Sequence, residues 1–174
     1  SLPAWDQGLE KGTRMGSATA KLRSQWHDGM AKWIGGQPWT YFVTFTTPYE
    51  MSTKSARRLM DRTHHSWCLL TDGACKLIYF MERNELRDGC HLHALAHVPD
   101  QFRELHLYTA MVDAYQAMAG AKVKRNDNGK ITWEGRARID MRRYNGRKDA
   151  GGYAAKYASK NNGPDNWDIL LPNK

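Results

Sequence analysis

The sequence predicts an α+β domain in which helices flank a mainly antiparallel sheet. Short segments rich in aromatic and β-branched residues are separated by turn residues, and longer segments of helical periodicity lie between them. A polar loop joins two of the predicted strands as an antiparallel hairpin. With 174 residues, the chain suits one domain with a sizeable core. We expect a single domain over residues 1–174, with a helical extension over 1–38, a core over 39–160 and a tail over 161–174.

The first predicted helix covers Ala18–Ile34 and precedes the first predicted strand, Tyr41–Thr47. Glycines and a proline separate the helix from the strand, and Pro48 ends the strand. Thr44 and Thr46 share one face, because side chains alternate along a strand. The net charge of +8 favours a polyanionic partner such as DNA. The two hydroxyls are candidates for hydrogen bonds to it, although threonine is also simply a favourable strand residue.

Two long helices are predicted, over Ser52–Leu70 and Gln101–Ala119. Ser52 or Thr53 is expected to cap the first of them. His64 and His65 are expected to be exposed polar positions rather than ligands. The residues expected on the apolar faces are Leu59, Met60, Thr63 and Trp67 in the first helix and Leu105, Tyr108, Val112, Tyr115 and Met118 in the second.

Two histidines, His91 and His93, lie two residues apart in a predicted strand that Pro99 ends. They point to the same face, roughly 7 Å apart at the backbone, which lets both bind one divalent ion. A polar loop joins this strand to the preceding strand Lys76–Glu82, and an antiparallel hairpin places Glu82 beside His91. Two imidazoles and a carboxylate suit Mn²⁺ or Mg²⁺ without excluding zinc. Alone, a His-x-His pair is equally compatible with two ordinary surface histidines.

Strands are also predicted between the helix Gln101–Ala119 and residue 144. Asn126–Gly129 is the turn signal of a hairpin, and Arg136–Tyr144 alternates apolar and charged residues. Arg136, Arg138 and Arg142 share one face of this last strand. Contacts with nucleic-acid phosphates and a solvated strand face both explain these arginines.

The last predicted helix begins after a glycine pair and carries two tyrosines and two lysines on one face. Tyr153, Lys156, Tyr157 and Lys160 are spaced i, i+3, i+4 and i+7, which is the spacing of a single helix face. Phenols and ammonium groups make a poor core stripe, but they suit a nucleophilic surface for an anionic substrate. The following tail, Trp167–Leu171, is expected to dock on the domain.

Composition restricts the partners. Lys plus Arg exceed Asp plus Glu by 26 − 18 = 8, which favours a polyanionic partner. Cys68, Cys75 and Cys90 lack metal-site spacing and are expected to be reduced thiols in a cytoplasmic protein. No apolar run has the roughly 20 residues of a membrane span, so no membrane partner is expected. Because the chain begins with Ser1, we expect a fragment excised or processed from a longer protein.

The order and spacing of these motifs resemble those of the HUH endonucleases that initiate rolling-circle replication. The resemblance depends on Glu82, the His91-Leu92-His93 motif, and Tyr153 and Tyr157 at i and i+4. The two-tyrosine spacing is most similar to the initiators of single-stranded DNA phages and their P2-like relatives. Trp39–Thr47 resembles the first motif of that family, so the resemblance spans the whole predicted core.

The resemblance implies a ferredoxin-like or RNA-recognition-motif-like sheet with both histidines on a central strand. It implies Mg²⁺ or Mn²⁺ held by Glu82, His91 and His93. Its implied partner is single-stranded DNA at a replication origin of a phage or plasmid in a bacterial cell. A hairpin in that DNA and a host helicase are further candidate partners.

The implied reaction is transesterification, in which a tyrosine oxygen attacks a phosphodiester and leaves a 5′-phosphotyrosine and a free 3′-hydroxyl. Two tyrosines allow two successive cleavages, and the family favours Tyr157 over Tyr153 as the first nucleophile. Lys156 or Lys160 would lower the pKa of the phenol or hold the phosphate.

Other functions remain compatible with the same residues. A two-tyrosine transposase or a relaxase would use the same groups for a different DNA. A non-catalytic nucleic-acid-binding domain with an incidental metal would fit the basic charge and the aromatic content. That last alternative gives no reason for Tyr153 and Tyr157 to share a helix face with two lysines.

Overall fold

The structure is a computed structural model that describes residues 25, 28–29, 31–86, 88–120, 122–134, 137–144, 152 and 167–173. Residues 31–35 are helical, in agreement with the end of the first predicted helix; most of that helix lies outside the described residues. The helices and strands that follow are β1 (Tyr41–Thr46), α1 (Thr53–Leu70), β2 (Lys76–Arg83), β3 (Cys90–His97), α2 (Leu105–Ala119), β4 (Lys122–Arg125), β5 (Ile131–Glu134), β6 (Arg138–Arg143) and β7 (Trp167–Leu170).

Five of the described strands form one sheet in the order β6-β1-β3-β2-β7, and every neighbouring pair is antiparallel. The run β1-α1-β2-β3-α2-β6 has the order of a split β-α-β domain. β3 lies between β1 and β2, the two strands on either side of α1 in the chain. In the same way, β1 lies between β3 and β6, the sheet strands before and after α2. This confirms the predicted α+β class with helices around an antiparallel sheet. It also puts β3, which carries His91 and His93, at the centre of the sheet.

The two faces of the sheet have different partners. On one face, which we call the helix face, α1 and α2 pack over residues that include Val43 and Phe45. The ring of Phe45 lies 5.8 Å from that of Trp67 in α1 and 4.7 Å from that of Tyr115 in α2. Trp67 also donates its indole N–H to the carbonyl oxygen of Met111 at 2.9 Å, which ties the two helices together.

The opposite face, which we call the histidine face, carries His91 and His93. A smaller core on this face contains Ile78, Phe80 and Leu95. Ile34 and Trp39, from the segment before β1, pack against these three residues. Glu82 and His91, at one end of the histidine face, are half-buried.

Helix α1 agrees with its prediction. Ser52 caps it by accepting a hydrogen bond from the Ser55 backbone N–H at 3.2 Å, and the helix ends at Leu70, as predicted. Its predicted apolar positions are all buried: Leu59, Met60, Thr63 and Trp67.

Helix α2 differs from its prediction in both its start and its buried side. It begins at Leu105 rather than Gln101, because Asp100–Phe102 form a separate 3₁₀ turn and Glu104 caps the helix with extended backbone. Leu105 was expected in the apolar stripe, but it is 80% exposed at the first position of the helix. The buried positions of α2 are Leu107, Met111, Tyr115 and Ala119.

The expectation that His64 is exposed was wrong. Only 6% of His64 is exposed, and its Nε2–H donates to the carbonyl oxygen of Cys75 at 2.9 Å. Met60, His64 and Trp67 are spaced i, i+4 and i+7, so His64 belongs to the buried stripe of α1. His65 is exposed, as expected. The three cysteines are buried and free, in agreement with the reduced thiols predicted.

The hairpin β4-β5 and the strand β7 both follow α2 in the chain. β4 and β5 form the predicted hairpin, whose turn contains Gly129 at a φ of 73°, a conformation that favours glycine. The tail docks, as expected, but it does so as a fifth strand: Trp167–Leu170 pairs with the outer edge of β2. No helix among the described residues combines the length and the apolar character needed to cross a membrane.

Candidate metal centre

The register of β2 and β3 brings the three predicted metal ligands together. Glu82 pairs directly with His91, and Phe80 pairs with His93. Side chains two residues apart along a strand point to the same face, so Glu82, His91 and His93 all lie on the histidine face. The hairpin register predicted from the sequence is therefore confirmed.

One oxygen of Glu82 lies between the two imidazoles. Glu82 Oε2 is 2.9 Å from His91 Nε2 and 3.1 Å from His93 Nε2. The two rings are 4.9 Å apart and nearly perpendicular, with an angle of 78° between their planes. One ligand atom from each of the three residues lies within 4.8 Å of the other two. Three convergent donors of this kind could hold a metal ion.

The donor set fits a divalent ion chemically as well as geometrically. Two imidazole nitrogens and a carboxylate oxygen form a mixed set used for first-row metals. The three side chains are partly open to solvent, with 16% of Glu82, 29% of His91 and 11% of His93 exposed. A site that is enclosed on one side and open on the other can hold an ion and still admit a substrate oxygen.

The surroundings of His93 favour its neutral form. Burial lowers the pKa of His93 below its ordinary value of 6.5, and the nearby His91 acts in the same direction. The hydrogen bond to Glu82 raises the pKa but does not outweigh these effects. Neutral imidazole is the form that binds a metal, so the environment of His93 favours metal binding near neutral pH.

The other ring nitrogen of each histidine also has a partner. His91 Nδ1 is 2.9 Å from Asn84 Oδ1, and His93 Nδ1 is 3.3 Å from Thr44 Oγ1. Each ring is therefore held at Nδ1 while its Nε2 points towards Glu82. Fixing one nitrogen of an imidazole and presenting the other to the ion is the common arrangement of metal-ligating histidines.

A shallow groove begins beside the cluster and runs to the β6 edge of the sheet. Thr44 is its link to the cluster, because Thr44 pairs with His93 on one side and with Asp140 on the other. The groove has a volume of about 410 Å³ and is lined by Thr44, Thr46, Gln116, Arg138, Ile139 and Asp140. Three residues predicted to contact DNA, Thr44, Thr46 and Arg138, thus line one groove.

The arginines of β6 differ in their surroundings. Arg142 donates from Nε to Asp140 Oδ1 at 3.0 Å, and its Nη2 lies 2.8 Å from Asp140 Oδ2. Arg138 makes no ion pair with any described carboxylate. Asp140 therefore neutralises much of the charge of Arg142 locally, so that Arg138 and Arg142 differ in how far their charge is compensated.

Several predicted site residues lie outside the described residues. They are the proposed nucleophiles and their lysines, together with the first arginine of the predicted strand: Tyr153, Lys156, Tyr157, Lys160 and Arg136.

Sequence reasoning missed Asn84 and Gln116. Asn84 lies two residues after Glu82 along the extended end of β2, and this spacing places it on the same face as Glu82. That alternation was the signal by which it could have been found. Gln116 comes from α2 and meets the groove only through the packing of that helix, so no local pattern identifies it.

Comparisons with protein-family models, with curated proteins and with solved structures give no match to this chain. The interpretation of the centre therefore depends on its own geometry and chemistry.

Proposed function

We propose that this protein is a metal-dependent endonuclease and strand transferase for single-stranded DNA that starts rolling-circle replication through a tyrosine nucleophile of the HUH type. The observation that carries the proposal is the position of Glu82 Oε2 between His91 Nε2 and His93 Nε2 on the central strand of an antiparallel sheet. The motif order of the sequence, with two tyrosines after the histidines, supports the same function.

The metal we propose is Mn²⁺ or Mg²⁺. When bound, such an ion would neutralise charge on the scissile phosphate and stabilise the leaving oxygen as a Lewis acid. The two nitrogen donors suit Mn²⁺ better than Mg²⁺, which prefers oxygen ligands. We therefore expect Mn²⁺ to bind more tightly, with Mg²⁺ supporting the reaction at higher concentration.

The residues of the chain would supply the nucleophile and hold the DNA. In the proposed step, the phenol oxygen of Tyr157 or Tyr153 forms a bond to phosphorus as the bond from phosphorus to the 3′-oxygen breaks. The phenol loses its proton, and the leaving 3′-oxygen gains one. The products are a 5′-phosphotyrosine and a free 3′-hydroxyl, and the phosphotyrosine keeps the ester bond available for rejoining.

The groove beside the centre supports a strand of DNA as the substrate. Its polar threonines and Arg138 follow the sheet away from His93 towards the β6 edge. Contacts of arginine and threonine with phosphate oxygens position a strand without reading its sequence. The net charge of +8 favours the same partner.

The test is the formation of a covalent adduct between the protein and DNA. Single-stranded oligonucleotides tiled across the DNA that flanks the gene, labelled at the 3′ end, are incubated with the protein and MnCl₂ and separated on a denaturing gel. The 3′ label stays with the protein because attack leaves the downstream fragment attached through its 5′ phosphate. We expect an adduct with Mn²⁺ and none with EDTA.

Two variants give this experiment its controls. The double variant Tyr153→Phe, Tyr157→Phe keeps both rings but removes both nucleophilic oxygens, and we expect it to bind Mn²⁺ without forming an adduct. Either single variant should keep one round of cleavage, with Tyr157 the stronger nucleophile. Binding of DNA with no adduct from the wild-type protein would favour a non-catalytic nucleic-acid-binding domain instead.

A further inference from the structure

Asn84 follows directly after β2, and its side chain amide has a hydrogen-bond partner at each end. Its Nδ2 donates to the carbonyl oxygen of Asp88 at 3.2 Å, and its Oδ1 lies 2.9 Å from His91 Nδ1. A carbonyl oxygen only accepts, so the nitrogen of the amide must face Asp88. Oδ1 therefore faces His91. Because Oδ1 cannot donate, the proton of this hydrogen bond belongs to His91 Nδ1.

We propose that Asn84 is the positioning residue of the metal centre. By accepting a hydrogen bond from Nδ1–H, Asn84 holds the His91 ring in the tautomer and orientation that present Nε2 to a divalent ion. This inference rests on the proposed function, because it concerns the same metal centre. It adds a role for a residue that is not itself one of the three metal-binding residues. Partners of this kind also make the ligating nitrogen more basic.

The position of Asn84 is set by the backbone of its loop. Its backbone N–H donates to the carbonyl oxygen of Gly89 at 3.0 Å. Gly89 has a φ of 90°, and a Cβ at this position would lie 2.7 Å from the backbone nitrogen of Met51. A glycine is therefore required for the loop to lie against Met51. The next residue, Cys90, donates its N–H to the carbonyl oxygen of Met51 at 3.1 Å, which holds the loop there.

Thr44 does not play the same part at His93. A hydroxyl both donates and accepts, so Thr44 is compatible with either tautomer of His93. Its distance to His93 Nδ1 is also longer, at 3.3 Å. Asn84 is thus the partner that selects one tautomer, and His91 is the ligand whose orientation depends on it.

The test is a calorimetric titration of MnCl₂ into the wild-type protein, Asn84→Ala, Asn84→Asp and His91→Ala, all confirmed as folded by thermal unfolding. Asn84→Ala lacks the acceptor, and we expect its Kd for Mn²⁺ to rise about tenfold or more. Asn84→Asp keeps an acceptor for Nδ1–H but loses the donor to Asp88. We expect it to bind Mn²⁺ at least as tightly as the wild-type protein does.

The two Asn84 variants distinguish a positioning role from a role in loop structure. If Asn84 served only to hold the loop, Asn84→Asp would weaken Mn²⁺ binding as much as Asn84→Ala, since both lose the hydrogen bond to Asp88. That outcome, or wild-type affinity in Asn84→Ala, would overturn the inference while leaving the metal centre in place. Equal affinities of the wild-type protein and His91→Ala would instead remove the metal centre, and the inference with it.

Discussion

In the described part of the chain, two clusters that contain histidine lie on opposite sides of one sheet, and they differ in where their ring nitrogens point. His64 lies on the helix face with Cys68 and Cys75, and His91 and His93 lie on the histidine face with Glu82. His64 Nε2 donates to the Cys75 carbonyl oxygen at 2.9 Å and lies 3.3 Å from Cys68 Sγ. In the other cluster, both Nε2 atoms point at one carboxylate oxygen.

The difference shows what makes a histidine available to a metal. A carbonyl oxygen satisfies the N–H of His64, and burial raises the pKa of the Cys75 thiol well above its ordinary value. In the described part of the chain, the ligand atoms that converge as a group of three are those of Glu82, His91 and His93, and not those of His64, Cys68 and Cys75. At the other cluster, Nδ1 of each ring has its own partner, so Nε2 remains for an ion. The direction of each ring nitrogen therefore distinguishes a structural histidine from one that could bind a metal ion.

The largest effect should follow removal of an imidazole from the metal centre. We expect His91→Ala or His93→Ala to raise the Kd for Mn²⁺ by more than about 100-fold and to abolish metal-dependent cleavage, because two of three ligands cannot hold the ion well. Calorimetry and the adduct gel measure the two effects. His97→Ala, on the same face of the same strand, is the matched control and should bind Mn²⁺ normally. Full activity in either His91→Ala or His93→Ala would refute the site.

At the cluster that contains His64, we expect a substitution to lower stability rather than metal affinity. His64→Ala leaves the Cys75 carbonyl oxygen without its donor and opens a cavity under α1, so we expect a loss of about 2 kcal/mol in the free energy of unfolding. Urea unfolding measures the change, with exposed His65→Ala as the control. Affinity for Mn²⁺ should not change in either variant. Weaker Mn²⁺ binding in a folded His64→Ala protein would mean that the two clusters are not independent.

Removing the charge of Glu82 should have a smaller effect than removing an imidazole. Glu82→Gln keeps the size of the side chain and one oxygen donor but loses the negative charge that attracts the ion. We expect the Kd for Mn²⁺ to rise about tenfold, less than for the histidine variants. Glu85→Gln, in the loop that follows β2, is the control. A larger effect from Glu85 than from Glu82 would show that a different carboxylate serves the centre.

The pH dependence of stability should identify His64 as a buried neutral histidine. Burial is the main cause that lowers its pKa below 6.5. Between the folded value and the ordinary value, the unfolded chain binds more protons, so stability rises with pH in that window. The free energy of unfolding should therefore fall as the pH drops below about 6.5 and stop falling below the folded pKa. His93 and His97 have pKa values lowered in the same direction and add to the fall.

Urea unfolding of the metal-free protein between pH 7.5 and pH 5 tests this dependence. In folded His64→Gln, which has no titrating group at this position, the fall should be shallower than in the wild-type protein. Identical pH profiles would show that the pKa of His64 does not change on folding.

The smallest effect concerns Arg138, which lines the groove, and Arg142, which lies on the same face of β6. Arg138→Ala should lower the slope of log K against log salt for single-stranded DNA by about 1, which is the loss of one phosphate contact. Arg142→Ala should change the slope less, because Asp140 already pairs with Arg142. Fluorescence anisotropy with a labelled oligonucleotide at increasing NaCl measures both slopes. Equal slopes in Arg138→Ala and the wild-type protein would place the DNA elsewhere.

Most of the fold and the core of the centre could be predicted from local patterns. The pairing of Glu82 with His91 followed from strand alternation and from the polar loop between the two strands, and both signals are local. The turn at Gly129 and the cap at Ser52 were local in the same way.

The features that were not predicted depend on contacts between distant segments. The docking of Trp167–Leu170 as a strand depends on the free edge of β2, about 90 residues earlier in the chain. Leu105 is exposed at the first position of α2, which begins only after the 3₁₀ turn Asp100–Phe102. His64 is buried because a carbonyl oxygen from the chain beyond α1 satisfies its N–H. Asn84 is the exception, because it was missed although its spacing of two residues from Glu82 is a local pattern that could have identified it.

Pulsed electron paramagnetic resonance of the Mn²⁺-loaded protein tests the central claim most directly, because it detects nitrogen nuclei bound to the ion. We expect the wild-type protein to show two directly coordinated histidine nitrogens and His64→Ala to show the same two. His91→Ala and His93→Ala, loaded at higher Mn²⁺ concentration, should each show one. A wild-type spectrum without any coordinated nitrogen would contradict the assignment of Glu82, His91 and His93 as a metal centre.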